Sequence, residues 1–161
     1  GNGDTPRVEL GKPVPGEEPG LDDAIYKDIL PTEWEQAWTT TEALLRAMRD
    51  DTATHRAAFV IVALSNGIQV HPDPAVRAAF ARRMGAPDLS APERRLIRFG
   101  ATEGMTILTL APTLAKYAEM NNVFLHGFPN TGMGEGHWNA DGHRQGGEMI
   151  AKLLCNDEFL R

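Results

Sequence analysis

Several features are scarce in this sequence, and each scarcity excludes a class of protein. One cysteine, Cys155, in 161 residues excludes an internal disulfide framework and a cysteine-rich zinc site. No apolar run approaches the roughly 18 residues that a membrane helix needs. Positive charge is also in short supply, because 16 Lys and Arg stand against 22 Asp and Glu and give a formal net charge of −6. That balance argues against a general nucleic-acid-binding protein, which usually carries a basic stripe.

Serine is scarce as well, and phosphate-binding glycine motifs are missing. The two serines of the sequence are Ser65, at the end of an apolar run, and Ser90, which has the sequence context of a helix cap. Neither lies in the glycine-flanked turn that is typical of an exposed serine nucleophile. No P-loop is present, and the glycines between residues 132 and 136 do not match the dinucleotide-binding pattern, so no organic cofactor is implied.

Proline and glycine divide the chain into two parts. Residues 1–31 contain five of each, a density that no regular helix tolerates, and this predicts an extended lead-in. Residues 32–161 are predicted to form an α/β domain that opens with a helix. Thr32 and Glu35 have the spacing of a capping box, and an apolar stripe runs from Trp34 to Met48 on one helix face.

The remaining pattern alternates strands and helices. Residues 57–64 form a continuous apolar run, which predicts a strand buried on both faces, and residues 105–110 predict a second strand. A short strand is predicted at 123–125, a glycine-rich loop at 126–138 and a last helix at 139–154. Such alternation predicts a parallel sheet covered by helices. We expect one side of a larger three-layer, doubly wound fold of the flavodoxin-like kind.

The densest polar cluster lies in residues 134–143, which read GEGHWNADGH. Glycines on both sides of the cluster allow the backbone to approach a partner closely. His137 has the side chain of a general base, since the ordinary pKa of imidazole lies near neutrality. Glu135 is the carboxylate that we expect to orient it, and Asn139 has the side chain of a helix cap. The cluster therefore predicts acid–base chemistry at the start of the last helix.

The same segment resembles the C-terminal block of SGNH (GDSL-type) hydrolases. In that family a histidine followed two residues later by Asn opens the last helix, as His137 and Asn139 do here. The segments 60–73, 110–112 and 124–128 are similar to the second half of such a domain. The resemblance implies a serine-type ester hydrolase or acyltransferase in which His137 is the general base, oriented by Glu135. Substrate contacts are assigned to Trp138, Asn139 and His126.

The sequence departs from the family at two places. The family's nucleophile is a serine in an N-terminal Gly-Asp-Ser block, which this chain does not contain, and Gly134 stands where the family usually has Asp. We therefore expect a C-terminal half that is inactive alone. Its partner would be a missing N-terminal half, a second chain or another copy in a homodimer. The implied substrate is an ester, and an acylated carbohydrate is one candidate.

Two other functions are compatible with the same residues. His126, His137 and His143 share one stretch with Glu135 and Asp141, and such ligands would suit zinc if the loop folded back. The helical His pair of a zinc protease is spaced by four residues, however, whereas His137 and His143 are six apart. A non-catalytic binding module, in which His137 is merely a polar loop residue, is the second alternative.

Overall fold

The computed structural model describes residues 23–155, which form an α/β structure with five α-helices and two small sheets. The helices are α1 (Thr32–Thr54), α2 (Pro74–Met84), α3 (Ala91–Glu103), α4 (Ala111–Asn121) and α5 (Ala140–Cys155). The strands are β1 (Val60–Ala63), β2 (Thr106–Thr109), β3 (His126–Phe128) and β4 (Gly132–Trp138). Two short 3-10 helices cover Asp23–Tyr26 and Ile68–Val70. The predicted alternation of helices and strands is confirmed.

The end of the predicted lead-in is not extended. Residues 23–26 form a 3-10 helix, and the Tyr26 side chain is only 2% exposed. Its ring packs edge-on against Phe80 of α2, with 6.1 Å between ring centroids. Burying a large aromatic ring in an apolar site is energetically favourable, and the burial of Tyr26 orders the backbone before α1. Residues 1–22 of the lead-in lie outside the described residues.

Strands β1 and β2 pair in parallel, with Val60 opposite Thr106 and Ala63 opposite Thr109. The eight residues of the pair are all half-buried, and Leu64, just beyond β1, is 60% exposed. The predicted strand buried on both faces is therefore shorter and more exposed than expected. The reason is that, within residues 23–155, each of these strands has only one neighbour, so nothing covers the outer edges of the pair.

The segment predicted as a glycine-rich loop is a β-hairpin. Strands β3 and β4 are antiparallel, and the expected strand at 123–125 begins later, at His126. His126 lies opposite Trp138, but the next residue, Gly127, lies opposite Met133. Residues 134–137 therefore have no opposite residue in β3 and form a bulge in β4. Bulges of this kind often lie beside functional sites, because they redirect a side chain out of the sheet.

The main core lies between α4, the hairpin and the 3-10 helix that follows β1. Its members are buried aliphatic side chains, with Leu110 and Ala118 fully inaccessible to solvent: Val70, Leu110, Ala111, Leu114, Ala118 and Leu125. Gly67 brings the hairpin close to this core, because a Cβ atom at that position would overlap the carbonyl oxygen of Gly134. The core thus fixes the hairpin against the carboxyl end of β1.

The helix termini follow the sequence signals in α2 but not in α1. In the sequence, Asp73 followed by Pro74 predicts a helix start and Gly85 predicts its end. Both are confirmed, because Asp73 accepts a bond from the Ala75 amide at 2.8 Å and Gly85 ends α2 in a left-handed conformation. At α1 the residue before the helix is Pro31, Thr32 already lies inside it, and no side chain caps it. The predicted Thr32–Glu35 capping box is therefore wrong.

Helix α1 is attached to α3 at two places. Near its C-terminal end, Arg46 and Arg49 bond the Glu103 carboxylate at 2.9 and 3.3 Å, and nearer its start the contact is made by Arg95 of α3. The Arg95 guanidinium bonds Glu35 at 2.8 Å and Glu42 at 3.0 Å, and it stacks 4.9 Å from the ring centroid of the buried Trp38. The predicted apolar stripe is only partly buried, since Trp38 is 8% exposed but Met48 is 54% exposed. No helix within residues 23–155 is both long enough and apolar enough to cross a membrane.

Candidate functional site

A chain of hydrogen bonds joins the end of β1 to the hairpin. The Trp138 indole N–H donates to Ser65 Oγ at 2.9 Å, and Ser65 Oγ lies 3.1 Å from His126 Nε2. His126 Nδ1 lies 2.7 Å from the carbonyl oxygen of Gly136. A carbonyl oxygen only accepts, so Nδ1 carries the proton and Nε2 accepts from the serine hydroxyl. The direction of the whole chain is thereby fixed from Trp138 to Gly136.

The centre of this network is buried. Ser65 is 9% exposed and His126 is 4% exposed. Burial lowers the pKa of the His126 imidazole below its ordinary value, the Gly136 carbonyl opposes this effect, and the neighbouring His137 adds to it. His126 is thus held neutral, in the form that accepts the proton of Ser65. The structure places its ring between Ser65 and the β4 backbone, and its predicted contact with substrate stays a prediction.

The two predicted catalytic residues lie on the bulge of β4. Glu135 and His137 are both exposed, whereas the intervening Gly136 is half-buried. The side chains of Glu135 and His137 therefore both face solvent, on either side of the half-buried Gly136. Within residues 23–155 no hydrogen bond or ion pair joins Glu135 to His137. The structure brings the pair to one surface and leaves the imidazole open to solvent.

Trp138 and Asn139 fix the base of the bulge. Asn139 Oδ1 accepts from the Gly142 amide at 3.0 Å, as a helix cap does, and its amide nitrogen donates to the Phe124 carbonyl at 2.8 Å. The Trp138 ring lies against α5 at Gly142 and Gly146, where an added Cβ atom at Gly146 would come within 2.5 Å of the ring. Both residues were assigned substrate contacts, and both make structural contacts here.

A cleft of about 310 Å³ opens beside His137. Ser65, His126 and Trp138 of the hydrogen-bonded network also line the cleft, and so does His143. The His143 ring packs edge-on against Trp138, with 5.6 Å between ring centroids. The cleft lies where the chain leaves the carboxyl end of β1. Open α/β folds place their ligands at this edge of a parallel sheet.

The sequence analysis missed the pairing of Ser65 with His126. The two residues are 61 positions apart, and neither has a motif that identifies the other. The available signal was position, because Ser65 directly follows the apolar run of β1, at the edge where such folds collect polar groups. Serine with a neutral histidine is a potential nucleophile–base pair. Here, however, the amide of the next residue, Asn66, already donates to Gln69 at 2.9 Å and is not free to bind an oxyanion.

The histidines of the cleft do not assemble into a metal site. Within residues 23–155, no group of three His, Cys, Asp or Glu side chains is arranged to hold a metal ion.

Comparison of the chain with protein-family models, with curated proteins and with solved structures finds no match. The assignment of a function therefore depends on the geometry of the site and on the pattern of residues around it.

Proposed function

We propose that this chain is the histidine-bearing part of a serine-type ester hydrolase of the SGNH kind, with His137 as its general base. The observation that supports this most is the position of His137. It is exposed, it lines the cleft of about 310 Å³, and no described residue takes it as a hydrogen-bond partner. An unbonded imidazole at the carboxyl edge of a sheet is free to exchange protons with a bound substrate.

The other residues of the His-Trp-Asn segment each have a structural role, which strengthens this assignment. Trp138 packs against α5 and donates to Ser65, while Asn139 caps α5 and holds the backbone of Phe124. These contacts fix the chain directly after His137 and so limit where its imidazole can point. A rigidly supported base is what general acid–base catalysis needs.

In the proposed reaction, a serine outside this chain attacks the carbonyl carbon of an ester. His137 takes the hydroxyl proton and then returns it to the departing alcohol, leaving an acyl-enzyme. Water, activated by the same imidazole, releases the acid and restores the serine. Glu135, exposed on the same bulge, is the proposed carboxylate that orients His137. An acylated carbohydrate remains one candidate substrate.

The nucleophile is proposed to come from elsewhere because Ser65 is hydrogen-bonded on both sides and Ser90 does not line the cleft of His137. Ser65 donates to His126 and accepts from Trp138, so its hydroxyl is engaged on both sides. Ser90 precedes α3 without the expected side-chain cap bond to that helix, and it lines a different cavity, together with Pro74 and Pro112, which does not include His137. The N-terminal half of a longer protein, or a second copy of this chain, would supply the missing serine.

The shape of the sheet is compatible with such a partner. Within residues 23–155, β1 and β2 each hydrogen-bond on one side only. Unpaired strand edges readily accept another strand. We propose that the partner adds strands to this pair and so forms the three-layer, flavodoxin-like sheet of the whole enzyme. The net charge of −6 disfavours nucleic acid as the partner.

The test compares the chain alone with a longer protein that includes the sequence preceding it in its own gene. Both are treated with a fluorophosphonate probe, read by intact mass, and both are assayed with 4-nitrophenyl acetate. We expect an adduct and turnover only in the longer protein. His137→Ala should lower its turnover by about 10²–10⁴-fold. His55→Ala, which changes an exposed histidine at the end of α1, is the matched control and should have no effect.

Two results would contradict the proposal. Turnover in the longer protein that survives His137→Ala would exclude His137 as the base. An adduct on Ser65 in the chain alone would show that Ser65 and His126 form the nucleophile–base pair. In that case no second half would be required, and the same ester chemistry would belong to the buried network.

A further inference from the structure

The outer edge of β1 carries backbone groups that β2 does not reach. The Ala63 carbonyl oxygen accepts from the Leu110 amide at 3.1 Å, so Ala63 and Ile61 direct their N–H and C=O groups toward β2. Because successive residues of a strand direct these groups to opposite edges, those of Val60 and Val62 face away from β2. Within residues 23–155, β1 pairs with no other strand. This edge is therefore open to a further strand.

An apolar cavity of about 450 Å³ lies beside the end of β1. Ala63 and the 60% exposed Leu64 form part of its wall, and no residue of β2 lines it. Trp34 and Trp38 of α1 and Leu96 of α3 line it as well. The apolar space thus adjoins β1 and not β2, which identifies the β1 edge as the incomplete side of the sheet.

Helix α1 is placed to cover a strand at this edge. It meets α3 through polar side chains, such as Glu42, which bonds Arg95 at 3.0 Å. Its apolar stripe begins in the cavity wall, at Trp34 and Trp38, and continues to Met48, which is 54% exposed. Amphipathic helices of globular proteins turn such a stripe toward the core. Part of this stripe therefore lacks its cover within residues 23–155.

Helices lie on both faces of the β1–β2 pair. On one face Val62 packs against the core around Leu114 of α4. On the other face Ile107 meets α3 at Gly100, where an added Cβ atom would come within 2.5 Å of the isoleucine side chain. Sheets covered by helices on both faces are mostly parallel, and their strands are apolar on both faces. A strand that joins β1 has to meet the same two conditions.

We propose that β1 and α1 form a docking surface for one β-strand of a partner, which runs parallel to β1 and is apolar on both faces. Its backbone bonds Val60 and Val62, and one of its large side chains fills the cavity. The proposal rests on the proposed function for the existence of a partner, but it uses no group of the His137 cleft other than Leu64. The docking surface comprises residues of two elements: Val60, Val62 and Leu64 at the β1 edge, and Trp34, Trp38 and Met48 on α1.

The experiment titrates the peptide acetyl-Lys-Val-Ile-Val-Phe-Val-Lys-amide into the full chain and follows amide hydrogen exchange by NMR. We expect saturable binding that slows exchange of the Val62 amide by at least about tenfold. The amides of Ile107 and Thr109 face the outer edge of β2 and should be unaffected. The same peptide with every backbone nitrogen methylated cannot donate to β1, so it should bind at least about tenfold more weakly.

Two exposed apolar residues provide a matched pair of variants. Leu64 is 60% exposed at the β1 edge, and Met120 is 74% exposed on α4 and does not line the cavity. Leu64→Lys places a charge where the strand would lie and should weaken peptide binding by at least about tenfold. Met120→Lys adds the same charge elsewhere and should leave the binding unchanged.

Three results would overturn the proposal. They are the absence of saturable peptide binding to the folded wild-type chain, protection of Ile107 and Thr109 in place of Val62, and equal binding by the two lysine variants. A dimer in light scattering whose dissociation exposes the Val62 amide would show that a second copy of this chain occupies the edge instead. None of these measurements involves ester turnover, so the docking surface and the role of His137 fail separately.

Discussion

The packing of Trp138 on α5 offers the sharpest test of how the His137 bulge is supported. A Cβ atom added at Gly146 would lie 2.5 Å from two carbons of the Trp138 ring, whereas one added at the adjacent Gly147 would meet nothing within 4 Å. Both glycines lie within α5. Gly146→Ala and Gly147→Ala therefore form a matched pair that differs mainly in contact with the ring.

The two substitutions share one energetic contribution and differ in another. Alanine in place of glycine in a helix interior stabilises by about 1 kcal/mol, and this gain applies to both variants. At Gly146 the ring must also move, which as overpacking costs about 1–3 kcal/mol. Moving the ring strains the 2.9 Å bond from the Trp138 indole to Ser65 as well. We expect Gly147→Ala to stabilise and Gly146→Ala to be less stable than it by about 1–3 kcal/mol.

Urea unfolding, followed by far-UV circular dichroism, measures this difference directly. Comparing the two variants with each other cancels the helix contribution and leaves the clash with the ring. Equal stability of the two variants would refute the reasoning, because it would mean that Trp138 does not rest on this face of α5. Enhanced stability of Gly147→Ala together with a weakened Gly146→Ala would support the position of Trp138 and hence of the bulge.

Three further changes test the network and the start of α5. Ser65→Ala should cost about 1–3 kcal/mol in urea unfolding, since it leaves the Trp138 indole N–H and Nε2 of the buried His126 without a partner; an unchanged stability would mean that the network is not formed. Because burial lowers the pKa of His126 below its ordinary 6.5, the unfolded chain binds a proton more readily, so stability should fall as pH drops below about 6.5. His126→Gln should lack that part of the pH dependence in unfolding curves at pH 7.5 and 5.5, and a parallel loss in both proteins would contradict the assignment. Asn139→Ala should cost about 1–2 kcal/mol through loss of the helix cap, and an unaffected thermal midpoint would argue against that role.

Local patterns in the sequence predicted the elements that depend on neighbouring residues. The cap of α2 at Asp73, its end at Gly85 and the start of α5 near residue 139 followed from short-range signals. The order of helices and strands followed from the periodicity of apolar residues. These features depend on contacts within one turn or one strand, and such contacts are visible in a few consecutive residues.

The same reasoning was wrong where a distant segment decides the outcome. The strand expected to be buried on both faces is half-exposed, because burial needs neighbours that the sequence of β1 does not encode. Residues 126–138, which were expected to form a loop, form a hairpin because β3 pairs with β4 across a turn. The capping box at α1 did not form, and Pro31 occupies the cap position instead.

The sequence by itself determined the local elements of this protein and the composition of its polar cluster. It also determined that His137 would lie beside Trp138 and Asn139, since they are consecutive. Only the tertiary structure decided that Trp138 and Asn139 support the chain while His137 stays exposed. It alone decided that Ser65 would meet His126, 61 residues away, and that Glu93 would be buried beside Gln69. Such pairings depend on how the elements pack together, and packing is a property of the whole chain rather than of any segment.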